Sequence, residues 1–356
     1  MKELFENKLF RMCMISIIVI ILIIIILVAI VGGGSKKITE YGLISAAKRY
    51  YQNNPSFLPK ENYESATVSV PTLVSTGYIS SKASGSTCPS YATVVNMNGT
   101  YEYYSTLLCD NNGTYTTLLN KIMSNITTNG SGLYNINGKY IFRGENPNNY
   151  VKFANSLWRI IGIDENNNIK MIYSDIYTEY QAWDDRYNKE IDDQRGVNEY
   201  VGSEKSRIKE FLDNLFTNEI YIENFTFDRI AMLAKHNVCI GKINIETNNV
   251  NACSKTLSNE RVTAITVNDY VNASLDPACS IKNSINCQNY NFLSNNGWTV
   301  NASSANSYDV YYIDAEEGLK TGYASFGNAI RPVISIKNSA IYAGGTGTVL
   351  DPYTIK

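Results

Sequence analysis

Residues 157–174 read LWRIIGI, then DENNN, then IKMIYS. Two Ile-rich runs around an Asp/Asn cluster predict a β-hairpin, because branched side chains suit a pleated, half-buried surface and Asp and Asn accept turn geometry. Asp164, Asn166 and Asn168 share the spacing of the first ligands of a calcium loop. Such a loop needs Gly at its sixth place and Glu at its twelfth. Ile169 stands at the sixth and no Glu at the twelfth, so the stretch reads as a turn.

Outward from the hairpin, Lys139–Arg143 precedes it as a further strand, and Ser206–Leu215 (SRIKEFLDNL) follows as an amphipathic helix. Ile208, Phe211, Leu212 and Leu215 share one face of that helix, and Ser206 is its cap. Phe227–Ala234 reads as a strand or short helix, and Thr263–Val267, Tyr308–Ile313 and Ile330–Ile336 as strands. Residues 133–356 are expected to form one α+β domain whose loops at about 180–205 and 240–310 are long enough to carry function.

On the other side, NKIMSNITTNGSG at 120–132 reads as a linker, and 38–119 as a small helix-plus-sheet domain. Residues 38–52 have helical spacing and end before Pro55. Ser69, Pro71 and Gly77 supply the cap, first turn and stop of a short helix. Tyr91–Met97 and Tyr101–Leu108 flank Asn98-Gly99, a hairpin signal that Asn112-Gly113 repeats. Before all of this, Met12–Val31 is an uncharged run of the length needed to cross a bilayer as a helix. It is too long for the core of a cleaved signal peptide. Residues 1–11 become a cytoplasmic tail, and the membrane itself a partner of Met12–Val31.

Lysines and arginines on both sides of the span leave orientation undecided. Cysteine usage is more informative. Cys13 lies in the span, and Cys88, Cys109, Cys239, Cys253, Cys279 and Cys287 form an even set whose neighbours pair as 88 with 109, 239 with 253 and 279 with 287. Disulfides persist in oxidising compartments, so this pairing places the body of the chain outside the cytoplasm, whereas six unrelated buried thiols would leave its side open.

The formal charge is −2 with 18% charged residues, below the ~25% of ordinary globular proteins. No clustered basic face calls for nucleic acid. The 27 tyrosines offer rigid contact area with a polar tip, as binding surfaces do. His236 is the only histidine and C-x-x-C is absent, so neither a catalytic histidine nor zinc is expected. Among acidic stretches, Trp183-Asp184-Asp185-Arg186 with Asp192-Asp193 is the leading candidate loop. Its carboxylates suit calcium, the one cofactor considered, or an acid and base pair for glycoside cleavage, and Trp183 suits a sugar ring. The plain alternative is a solvated loop balanced by Arg186 and Arg195. Arg331 offers a fork for a carboxylate ligand or pairs with a buried acid. Trp298 is a stacking ring or a core residue.

In order, LWRIIGI, SRIKEFLDNLF, Asp269-Tyr270, NNGWTVNAS, NAIRPVISI and GGTGTVLDPY resemble a domain of unknown function from surface proteins of low-GC Gram-positive bacteria, similar to C-type-lectin-like folds. The resemblance covers about 139–353. Trp158 matches the family's early strand Trp and Trp298 its late loop Trp. Phe211 and Asp213 stand where its helix carries Trp and Asn, and Arg331–Ile334 match its closing R-P-V-I. The resemblance implies a twisted antiparallel domain with long binding loops. One branch of that superfamily generates formylglycine with paired cysteines, of which Cys279 and Cys287 are the nearest analogue, though they read as a stapled loop. The N-terminal layout resembles a pilin or pseudopilin, without the Gly of a prepilin cleavage site before Met12. The expected function is a membrane-anchored extracytoplasmic surface protein, a ligand-binding or adhesion module for a glycan, cell wall or protein. A pilin-like subunit and a cell-surface hydrolase are the alternatives.

Overall fold

The computed structural model describes residues 37–110, 113–217, 227–247 and 253–356; the expected span Met12–Val31 and Asn112 lie outside them. Among the described residues, no helix is long and apolar enough to cross a membrane. The chain divides into two compact units, Met1–Thr114 and Tyr115–Lys356. Both mix helices with strands, and strands prevail in the second, an α+β chain.

In the first unit, Thr39 caps the helix Glu40–Asn53 by accepting from the Gly42 amide at 3.1 Å. Leu43, Ala46, Ala47 and Tyr51 recur at helical spacing and are buried. They pack with Val68, Val70, Leu73, Ala92 and Val94 in one core, where each large aliphatic side chain contributes about 1.5–3 kcal/mol by leaving water. Three antiparallel strands, Ser65–Ser69, Tyr91–Met97 and Thr100–Thr106, form the sheet with Tyr91–Met97 in the middle. Asn98 and Gly99 both take positive φ, 55° and 89°, the requirement of a two-residue hairpin turn. Ser69 caps Val70–Ser75 as expected, accepting from Thr72 N at 3.1 Å. Cys88 is bonded to Cys109.

The second unit is organised by a sheet of nine strands among the described residues. Its main path runs Leu233–Ala234, Val333–Ile336, Ile169–Tyr173, Ser156–Ile163, Tyr150–Phe153, Tyr353–Ile355, Tyr342–Gly344. The hairpin read from 157–174 is at its centre. Asp164 holds the turn, its Oδ1 accepting from the amides of Asn166 and Asn168 at 2.9 and 2.8 Å. Gly162 admits the crossing strand Lys139–Arg143: a Cβ there would stand 2.4 Å from the Tyr140 carbonyl. The sheet is mixed, since Tyr353–Ile355 pairs parallel with Tyr150–Phe153.

Two segments depart from the sequence reading. Residues 120–132, expected as a linker, hold part of the helix Leu118–Met123, which buries Leu118 and Ile122, and the start of the strand Gly132–Ile136. Residues 263–267, expected as a strand, make only isolated bridges at Thr263 and Ile265. A helix follows at Val267–Ala273, started by a capping box in which the Thr266 hydroxyl accepts from Asp269 N and the Asp269 carboxylate accepts from Thr266 N. Phe227–Ala234 is a short helix to Met232 and then a two-residue strand.

Candidate binding face

The loop after Thr178–Ala182 is built inward from its tryptophan. Trp183 is fully buried, its Nε1 donating to the Thr299 carbonyl at 2.9 Å while its ring meets Tyr200. Asp184 is also fully buried. Its carboxylate accepts from Arg186 at 2.6–3.0 Å, and Arg186 bonds Glu204 at 3.1 Å as well. These acids hold the Arg186 guanidinium above its ordinary pKa, the Asp184 hydrogen bond being the main cause. Two buried amides pin the rest. Asn188 Nδ2 donates to the carbonyls of Gly196 and Ser307, and Asn198 Nδ2 to those of Ser303, Asn306 and Asp309. Gly196 (φ 85°) passes so near that a Cβ would stand 2.0 Å from the Asp184 carbonyl.

Pinned this way, the loop carries Arg195 outward to a group of rings. The Arg195 guanidinium lies 4.9 Å from the Tyr308 ring centroid and 5.1 Å from that of Tyr323, and Nε donates to Asp193 at 2.9 Å. Tyr308 meets Tyr323 edge-on at 5.6 Å, and Tyr323 meets Phe326 at 4.9 Å. Phe326 is 55% exposed and Tyr180 79%. The Tyr180 ring lies over Gly327, beside Phe326, within 2.5 Å of where a Cβ would stand. Tyr187, bonded through its hydroxyl to Asp192, is exposed on the same loop.

The structure separates the residues singled out from sequence. Trp298 is buried at the end of a strand, Nε1 donating to the Gln181 carbonyl at 2.7 Å. Like Trp183, it faces the interior because its indole N–H has a backbone acceptor there and its ring has core neighbours. Asp185 is exposed and paired with Arg207 at 3.0 Å. Arg331 is buried, with no acid among the described residues paired to it, its Nε donating to the Tyr173 carbonyl at 3.3 Å. Asp184, Asp185, Asp192 and Asp193 are thus each engaged separately, and among the described residues no cluster of acids, His and Cys suits a metal. All three expected disulfides are formed, Cys88–Cys109, Cys239–Cys253 and Cys279–Cys287. His236 is buried with Nε2 3.1 Å from the Thr263 hydroxyl. Burial first, then Lys170, lower its pKa to about 3, so it is neutral at physiological pH. The Arg195, Tyr308, Tyr323 and Phe326 group was not read from sequence, although a run of tyrosines on a late hairpin was its visible signal.

One concavity has a different character. About 350 Å³ in volume, it has buried Ile122, Leu133, Phe142 and Tyr353 beneath and exposed Asn125, Asn146, Asn148 and Thr346 around it, with no charged side chain in its lining. Compared with family models, curated proteins and solved structures, the chain matches none of them.

Proposed function

We propose that this chain is a membrane-anchored extracytoplasmic surface protein, with Met12–Val31 as its anchor and the second unit as an adhesion module. The observation that carries the reading is the aromatic and arginine face at which half-buried Arg195, Tyr308 and Tyr323 back exposed Phe326. Tyr, Phe and Arg are the residue types enriched at protein interfaces, and an arginine already flanked by rings loses little freedom when a partner covers it. Three disulfides accord with an oxidising compartment. The resemblance of residues 139–353 to lectin-like surface domains is part of the same reading, and the buried positions of Trp158 and Trp298 suit the structural role their motifs imply.

The test is a full-length chain in detergent micelles, screened over arrays of surface proteins, cell-wall fragments and glycans. Binding that falls at least tenfold in Phe326→Ser and Tyr323→Ala variants supports the reading. Binding unchanged by both variants, or none at all, rejects it. A second reading, an uncharged sugar held in the amide-rimmed concavity, is favoured by the neutral lining there, since amides and hydroxyls match sugar hydroxyls without a desolvated charge.

A further inference from the structure

Two arginines flank the strand Ile169–Tyr173 of the large sheet. Tyr150, Arg159, Ile172 and Val333 form one cross-strand row. Arg331 lies in the joint just before Val333–Ile336, and its guanidinium meets the carbonyls of Tyr173 and Ser174, at the end of the strand that pairs with that of Arg159. Both are buried, at 7% and 3% exposure.

Each guanidinium is held in place but incompletely used. That of Arg159 lies 4.4 Å from the Tyr150 ring centroid and 4.6 Å from that of Phe292, and its Nε donates to Asn149 Oδ1 at 3.0 Å. Arg331 is fixed by backbone carbonyls at Tyr173 and Ser174. One nitrogen on each, Arg159 Nη2 and Arg331 Nη1, is buried with no acceptor. No carboxylate among the described residues forms an ion pair with either arginine. Desolvation lowers both pKa values to about 10, and repulsion from Arg159 adds to the effect at Arg331. Asp175 and the Tyr150 phenol are the neighbours whose charge opposes this at Arg331, and Asp175 is exposed with Oδ1 already accepting from Ile176 N.

Two buried cations that repel each other and keep spare donors are costly unless an anion joins them. We propose that Arg159 and Arg331 together bind a small doubly charged oxyanion of the phosphate class, which accepts from Arg159 Nη2 and Arg331 Nη1. Arg331 then does have a ligand of the kind its fork suits, but in the buried interior and not on the surface. This site is independent of the adhesion reading.

The experiment compares thermal unfolding of the full chain in detergent micelles in sodium phosphate and in sodium chloride of equal ionic strength. Phosphate is expected to raise Tm saturably, by roughly 5 °C or more when it exceeds its Kd about a hundredfold. Arg331→Met is expected to abolish that difference while unfolding in chloride no earlier than the unmodified chain. Equal Tm values in the two salts, or a phosphate effect that survives in Arg331→Met, overturn the proposal. If the variant does not fold, calorimetric titration of the unmodified chain with inorganic phosphate decides: saturable binding supports the site, and its absence removes it.

Discussion

The two units keep their interiors in different ways. The first packs Leu43, Tyr51, Val68, Leu73 and Val94 together and buries no charged side chain among its described residues, whereas the second encloses Arg159, Asp184, Lys209 and Arg331. An apolar core is non-directional and follows from periodicity alone. A core threaded by charges and amides depends on individual hydrogen bonds, each of which leaves a buried group unsatisfied when it is lost. The second unit therefore gains long, fixed loops that an apolar core could not hold, and its stability is vulnerable at single atoms.

The sharpest way to break this contrast is Trp183→Ala. It removes a fully buried ring and its bond to Thr299, and should cost about 3–5 kcal/mol. Hydrogen exchange should show the loss from Tyr115 onward while Glu40–Thr106 keeps its protection; an equal loss in both would erase the distinction. The converse experiment acts on the first unit. Replacing Cys88 and Cys109 by Ala opens a cross-link spanning 21 residues and should cost about 3 kcal/mol, seen as lost protection in Ser65–Thr106.

Next in size is Asn198→Ala, which removes the donor shared by the carbonyls of Ser303, Asn306 and Asp309. It should destabilise the second unit by about 2 kcal/mol in denaturant titration, and an effect below about 0.5 kcal/mol would show that the amide does not pin the loop. A pH titration sharpens the same point. His236 is neutral in the fold with its pKa near 3, against 6.5 ordinarily. Below about pH 6.5 the unfolded chain takes up a proton that the folded chain refuses, so stability falls with acidification, by about 1.4 kcal/mol for each pH unit until about pH 3. Asp269 adds to the loss at lower pH. Burial disfavours its carboxylate, but Lys170 and Thr266 outweigh that and hold its pKa below the ordinary value, so its stabilisation is lost only as pH drops through that lowered value. His236→Gln should flatten the slope above pH 4. The smallest effect belongs to the surface: Phe326→Ser should change stability by no more than about 0.5 kcal/mol while weakening partner binding.

The same contrast explains what could be read from the chain beforehand. Ser69, Pro71, the Asn98-Gly99 turn and the amphipathic face of Ser206–Leu215 act over a few residues, and all were legible. The disulfides were legible too, because each closes a short stretch. Trp183 and Trp298 were ambiguous because what buries them lies far along the chain: the acceptor for Trp183 is 116 residues away and that for Trp298 117. The helix Val267–Ala273 was hidden by the β-branched residues before it, though Thr266-x-x-Asp269 was a capping signal in plain view. Arg195 joins its tyrosines only through the folded loop, so the candidate face had no local signature beyond its composition.

Arg331 and Pro332 alone separate Gly327–Ile330, paired with Thr178–Ala182, from Val333–Ile336, paired with Ile169–Tyr173. One added residue in that joint would turn every side chain of a neighbouring strand to its opposite side. Length variation among natural relatives should therefore be excluded from this joint and tolerated at the open hairpin tip Ala315–Glu317, which makes gap positions in an alignment a reading frame for the architecture.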